Sequence, residues 1–430
     1  MAWDFLTDPS DAAELDWADG FVRDRVEPLD LVLGDPYDKS DEKAMALIRP
    51  LQQAVRAKGL WAAHLSPELG GQGFGQLKLA LLNEILGRSR WAPSVFGCQA
   101  PDSGNAEILA HYGTEQQKAR YLQPLLDGEI SSCYSMTEPH GGADPTLFTT
   151  TAVRDGDDWV INGEKWFSSN ARFASFLIVM VVTNPDVDRH HGMSQFIVPI
   201  ETPGLEIVRN VGLGTAEAGE GTHGYLRFTD VRVPEDHLLG GEGNAFAIAQ
   251  RRLGGGRVHH AMRTVAQVRW AFDMMCERAV SRQTRKGPLG SLGVVQEQIA
   301  DSWIEIEQFR LLVLRTAWLI DRHQDYNAVR KDISAVKVAM AKVYSDVVRR
   351  AMHLHGALGA SNEMPFGEML IQAETMGIVD GPTEVHKVTV AKQALAGYEP
   401  VDTLFPSAHL PTRRAAAEAS VAAWSSGTTA

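Results

Sequence analysis

The hydrophobic pattern of this chain of 430 residues changes period twice, and a chain that does so is constrained to fold as helices, then sheet, then helices again. Up to about residue 130 the apolar residues recur at helical spacing. Leu77, Leu81 and Ile85 step by four, and Ile108, Leu109 and Tyr112 share a face after a polar break at Asp102, Ser103, Gly104 and Asn105. From about residue 131 to 243 the pattern is strand-like. Asp155-Gly156 reads as a hairpin turn between 149–154 and 159–161, and Asn162-Gly163 as a second turn. Phe176–Val182 is a continuous apolar run and predicts a buried strand. Strands over 195–198 and 205–208 flank a Pro203-Gly204 turn, and one holding Leu226, Phe228 and Val231 closes at Pro234. No helices alternate with these strands, so an antiparallel barrel or sandwich is expected rather than a doubly wound sheet. From about residue 244 the helical period returns. Val295, Ile299, Trp303, Ile306, Phe309, Val313, Ala317 and Ile320 mark one long helix. Val329, Ile333, Val336, Met340, Val343, Val347, Ala351 and Leu354 mark another, and together they imply an antiparallel bundle. The expected organisation is α+β: an all-α domain over 1–130, a β domain over 131–243, a helical bundle over 244–400 and a C-terminal tail over 401–430, either loose or dependent on a partner.

Composition narrows the function classes. With 41 basic against 54 acidic residues the net charge is −13, which lacks the basic footprint of a nucleic-acid binder. Three cysteines, Cys98, Cys133 and Cys276, sit at no metal spacing and make no disulfide framework. The N-terminal stretch has neither an apolar core nor an arginine-rich amphipathic face, and the longest apolar run is too short for a bilayer. A cytoplasmic enzyme is expected.

Three segments carry the chemistry. In 133–144, small and hydroxylated residues with adjacent glycines let backbone approach a flat ligand, although such a run also serves as a plain interdomain loop. Thirty residues on, Gly163-Glu164-Lys165-Trp166-Phe167-Ser168-Ser169-Asn170 leaves a turn signal with two aromatics and two hydroxyls; alone, the aromatics read as core. Ile378-Val379-Asp380-Gly381-Pro382-Thr383-Glu384-Val385-His386 brings a carboxylate to the start of a helix, where Asp380 or Thr383 would serve equally as a cap.

The spacing of these segments, in a β domain flanked by helical domains, resembles the acyl-CoA dehydrogenase flavoprotein family over about residues 40–397. The resemblance implies an N-terminal helical domain, a middle antiparallel β-barrel and a C-terminal four-helix bundle, with FAD as cofactor. It places Tyr134, Met136 and Thr137 against the isoalloxazine ring, Phe167 packed on it, and Ser168 and Ser169 beside it, with the Ser169 hydroxyl near N5. Ala143 stands where the family has Ser, beside substrate. Arg282 is implied to reach the pyrophosphate of a neighbouring subunit's flavin, and His353, Gly356 and Ala357 to face its phosphate end. A lone Arg at a helix end also serves as a dipole partner, and the glycine as a C-cap. Glu384 falls where the family contacts the adenosine part of the cofactor, and Pro382 is implied to contact the cofactor as well. A site shared in this way implies a homodimer or homotetramer.

By the same resemblance Asp380, one methylene shorter than the family's glutamate, is the base that removes the α-proton of a CoA thioester, while the β-hydrogen leaves as hydride to N5. A carboxyl pKa raised by Ile378 and Val379 would suit that task. Arg257 is implied near the thioester arm and Gly381 beside the thioester. Electron-transfer flavoprotein is the implied acceptor.

The stretches 98–105, 255–264 and 380–386 look like the dehydrogenase part of the kinase–dehydrogenase proteins, family members ten and eleven, and their stand-alone bacterial relatives. That resemblance implies 4-hydroxyacyl-CoA or 4-phosphoacyl-CoA substrates. Gln99, Asp102, Asn105 and the His259-His260 pair are polar where ordinary members are apolar, although Asp102 also reads as a helix cap. An oxygen-using oxidase or monooxygenase on the same fold, and a non-catalytic acyl-CoA binder, are the alternative functions.

Overall fold

In this computed structural model residues 9–67, 71–214, 216 and 219–425 are described. The N-terminal part is helical: α1 (Pro9–Phe21), α2 (Glu42–Ala57), α3 (Gly75–Leu86), the short α4 (Ala92–Val95), α5 (Asp102–Tyr112), and short α6 (Glu115–Gln117) and α7 (Gln123–Leu126). Helix α2 starts where the Asp41 carboxylate accepts from the backbone N–H of Lys43 and Ala44, both at 3.0 Å. Helix α3 lacks a local cap. Asp321, from the far bundle, instead accepts from the N–H of Gln76 at 2.6 Å and Leu77 at 2.8 Å, which fastens the N-terminal helices to the C-terminal ones.

The middle strands are β1 (Ser132–Ser135), β2 (Thr151–Asp155), β3 (Asp158–Ser169), β4 (Phe176–Val182), β5 (Met193–Pro199), β6 (Leu205–Val211), β7 (His223–Pro234) and β8 (Leu238–Leu239). They form one sheet in the order β6-β7-β3-β2-β4-β5-β8, with β1 paired to β4 off that path. Pairing is antiparallel except at β1–β4 and at one residue of β2–β4, which are parallel. Strand β4 is buried on both faces. Leu177, Val179 and Val181 enter the sheet's own core, whereas Phe176 and Ile178 pack with Ile108, Leu109 and Tyr121 of the N-terminal helices. The period-2 alternation thus glues the sheet to the helical part.

One turn expectation is corrected. Asn162-Gly163 does not reverse the chain; β3 runs through it and the pairing with β7 slips there as a bulge. The Asn162 side chain bonds Asp230 in β7, donating at 3.1 Å and accepting from its N–H at 2.8 Å, so the strand stays paired. Gly163 has φ +142°, and a Cβ there would lie 2.6 Å from Thr150 Oγ1.

The C-terminal helices are α8 (Ala245–Ser281), α9 (Gly293–His323), α10 (Arg330–His355), α11 (Phe366–Met376), α12 (Thr383–Leu395) and α13 (Leu410–Ser425). The expected long helices over 295–320 and 329–354 are α9 and α10. Helix α8, with 37 residues, is about 55 Å long. Val258, Val265 and Met275 of α8 meet Phe309 and Val313 of α9 and Val336, Met340 and Val347 of α10 in one core. Within the expected tail, 410–425 is a helix, and none of its side chains is buried.

Candidate active site

The two segments expected to line a flat ligand lie side by side. Ser135 Oγ and Ser168 Oγ are 2.7 Å apart, the Trp166 N–H donates to the Thr137 carbonyl at 2.8 Å, and Lys165 Nζ donates to the Met136 carbonyl at 2.8 Å. Beneath them Lys165 and Glu138 form an ion pair at 2.9 Å, 0% and 2% exposed. The Glu138 carboxylate also accepts from the N–H groups of Thr149 and Thr150 and from the Thr149 hydroxyl. Burial raises the Glu138 carboxyl, but the neighbouring Lys165 ammonium and these hydrogen bonds lower it by more, leaving it below the ordinary range. Burial moves the Lys165 ammonium down to about 8 against the pull of Glu138.

Above this base Phe167 is left 41% exposed with φ +51°. A large aromatic in that conformation, held edge-on to Trp166 at 5.0 Å, is a ring withheld from the core, as a wall for a planar group requires. Asn170 Oδ1, a few residues on, is buried with no hydrogen-bond partner. The cradle therefore fits an isoalloxazine. Tyr134 lies under the Arg252 guanidinium at 4.0 Å and accepts from Gln195 Nε2 at 2.7 Å; burial pushes its hydroxyl up to about 12. Ser168 is buried, and Ser169 Oγ meets His223 Nδ1 at 2.9 Å. Ala143 lies exposed in the turn that follows.

Asp380 sits between α11 and α12 with φ +56°, followed by Gly381 at φ +99°. Its side chain is 22% exposed and lies 4.0 Å from His260 Nε2. Its carbonyl accepts from Arg257 Nε of α8 and from His386 Nε2 of α12, both at 3.1 Å. The N–H groups of Asp380 and Gly381 have no hydrogen-bond acceptor among the described residues. The expectation that apolar neighbours raise this carboxyl is corrected. Ile378 is 68% exposed, and although burial raises the carboxyl, His260, Arg257, Arg252 and Lys337 together hold it below the usual carboxylate range. Burial drives His260 itself down to about 4, so the lasting positive charge comes from the two arginines and Lys337.

The other expected site residues are dispersed. Asp102 is buried, accepting from the Ser132 N–H at 2.7 Å, the Ser132 hydroxyl at 2.6 Å and Gln99 Nε2 at 2.9 Å. It ties α5 to β1, makes no helix cap, and its carboxylate is committed within the protein. Pro382 precedes α12, and Glu384 is exposed in its first turn. Arg282 follows α8 with its guanidinium exposed, while His353, Gly356 and Ala357 lie exposed at the end of α10.

Family models match the chain in three consecutive parts: the acyl-CoA dehydrogenase N-terminal domain over 13–129, the middle domain over 133–231 and the C-terminal domain over 243–395. The chain belongs to the acyl-CoA dehydrogenase family. Family membership makes it an FAD-dependent oxidoreductase. It is 41% identical to "Probable acyl-CoA dehydrogenase FadE2" of Mycobacterium tuberculosis, over 91% of this chain and 93% of that one. It is 39% identical to acyl-CoA dehydrogenase family member 11 of Mus musculus over 87% of this chain, and the match spans about half of that longer protein. A solved acyl-CoA dehydrogenase relative from Mycobacterium abscessus superposes with a TM-score of 0.85 at 37% identity, covering 92% of this chain and 100% of the other. No helix among the described residues is long and apolar enough to cross a membrane.

The sequence reading missed Lys337, His386, Arg252 and His64. Lys337 had a signal: it lies four residues after Ile333 and three before Met340, on the apolar face of α10, where a lysine is out of place. His64 carries two ring nitrogens, and His259 one, that are buried without partners, as are Gln99 Oε1 and Ser131 Oγ.

Proposed function

We propose that this enzyme oxidises an acyl-CoA thioester between its α and β carbons, with Asp380 as the base for the α-proton. The observation that carries the proposal is the setting of Asp380. It is an ionised, partly exposed carboxylate on a strained loop, and the free N–H groups of Asp380 and Gly381 stand beside it. A thioester oxygen hydrogen-bonded to the N–H of Asp380 becomes a better sink for the charge left by proton removal. Arg257 spends Nε on the loop and keeps its remaining N–H groups for the thioester arm. Closing substrate over the carboxylate removes water from it, which raises its pKa toward what proton abstraction needs. Tyr134, Met136, Thr137, Phe167, Ser168 and Ser169 would hold FAD, which supplies the acceptor for the β-hydrogen and its electron pair. Arg282, His353, Gly356, Ala357, Pro382 and Glu384 would complete the cofactor site across a homodimer or homotetramer interface. Electron-transfer flavoprotein is the proposed onward acceptor.

A polar acyl chain, 4-hydroxylated or 4-phosphorylated, is the proposed substrate. The unpartnered nitrogens of His64 and His259 support this, since buried polar atoms without partners are costly unless a ligand satisfies them. The test is anaerobic bleaching of the flavin by butyryl-, isobutyryl-, octanoyl-, 4-hydroxyvaleryl- and 4-phosphovaleryl-CoA. Bleaching by the last two and slow reoxidation in air are expected. Bleaching by plain chains alone removes the polar substrate, rapid reoxidation in air points to an oxidase, and no bleaching by any thioester removes the dehydrogenase assignment.

A further inference from the structure

The loop that carries Asp380 is in an unfavourable conformation and is fastened from three sides. A non-glycine residue at φ +56° persists only where its surroundings determine it. The neighbour that would relax the turn, Gly381, is restricted as well. With φ +99°, it would place a Cβ only 2.9 Å from His386 Nε2. The space beside the turn is therefore already taken by the imidazole.

We propose that Lys337 and His386 are positioning residues that, with Arg257, clamp the backbone on either side of Asp380 and so aim its carboxylate. This rests on the reading of Asp380 as the base. Lys337 Nζ, 1% exposed, donates to the Met376 carbonyl, where α11 ends and the loop begins. His386 Nε2 and Arg257 Nε converge on the Asp380 carbonyl itself, each at 3.1 Å. The imidazole must carry its proton on Nε2 to donate there. Burial keeps the ring neutral, moving it down to about 4, so Nδ1 is left as an acceptor. Ser334 Oγ lies 3.2 Å from that Nδ1, and its hydroxyl donates. Ser334 and Lys337 are one turn apart on α10, so a single helix anchors both fastenings. Lys337 makes no ion pair within 4.0 Å among the described residues, and a buried ammonium without one is costly. Its position near Asp380 gives it a second effect, since its charge favours the carboxylate. The charged and titratable groups facing Asp380 are Arg252, Arg257 and His260 of α8, Lys337 of α10 and His386 of α12.

The test uses FAD-loaded enzyme and the panel thioester that bleaches the wild-type flavin fastest. In Lys337→Met and His386→Ala, kcat should fall about ten- to a hundredfold with KM and flavin content little changed, because a misaimed base loses alignment rather than binding. Lys337→Arg and His386→Gln keep a donor in place and should recover most of the loss. The acid limb of the kcat–pH profile should move up by as much as about one unit in Lys337→Met and stay in place in Lys337→Arg. Wild-type kcat and acid limb in both truncating variants would overturn the clamp, as would equal loss of kcat and flavin with no recovery in the conservative pair. If Lys337→Met does not fold, the His386→Ala and His386→Gln pair decides alone. Asp380→Asn, run in parallel, separates the two ideas: full activity there removes the base itself.

Discussion

At the scale of single residues, the site divides into positions that announce their chemistry and positions that only the fold reveals. Asp380 is legible because a carboxylate before Gly-Pro-Thr-Glu matches a family motif at one place in the chain. Its electrostatic setting is not legible: Arg257 and Lys337 approach it from sequence distances of 123 and 43 residues, and local pattern carries no information about that approach. This is why Ile378 and Val379, adjacent in sequence, misled the pKa expectation, whereas the nearby cations decide it. Asp380→Asn keeps the shape and the backbone fastenings and removes the base. Thioester-dependent flavin bleaching should slow by about a thousandfold with flavin content unchanged, as stopped-flow absorbance will show. Asp102 shows the opposite failure. A polar residue at a helix start reads as a cap or a ligand contact, and here it is a bolt between α5 and β1.

At the scale of elements, period reading placed the strands and long helices well but handled glycine poorly. Asn-Gly favours a turn because those residues tolerate φ > 0, and a bulge in a paired strand uses the same tolerance. The three glycines within α8 make the point energetically. A Cβ at Gly254 would lie 2.8 Å from the Tyr326 ring, whereas at Gly256 it would meet nothing within 4 Å. Gly256→Ala should therefore stabilise the protein by about 0.5–1 kcal/mol through helix propensity. Gly254→Ala should destabilise it by about 1–3 kcal/mol through overpacking. Urea unfolding of the two variants side by side should give midpoints displaced in opposite directions; a rise for both would show that Tyr326 yields freely.

At the scale of the whole molecule, helix–sheet–helix order was readable because each block keeps one period for a hundred residues or more. How Arg282 and His353 serve a site was not readable from a single protomer, in which both lie exposed. If the cofactor site is shared, Asp380→Asn and Arg282→Ala subunits should complement one another. A mixed dimer then has one site with both defects and one with neither, so coexpression should restore activity that neither parent shows. Acid stability is also a property of the whole. His64, His260 and His386 are each held by burial at about 4. Between that value and the ordinary imidazole range near 6.5 the unfolded chain takes up protons that the folded one refuses, so stability is full above that range and falls as pH drops through it. The melting temperature of the holoenzyme should decline steadily from pH 6.5 to 4, and less steeply in His386→Gln.

The ion pair of Lys165 and Glu138 has a kinetic consequence. It rivets β3 to the loop after β1 with every carboxylate lone pair engaged, so both walls of the cradle keep their spacing before any cofactor arrives. Little ordering is left for the flavin to pay for on entry. The apoprotein should then recapture FAD in one fast phase limited by diffusion and docking, and a slow second phase should appear only when the rivet is broken, as in Lys165→Met.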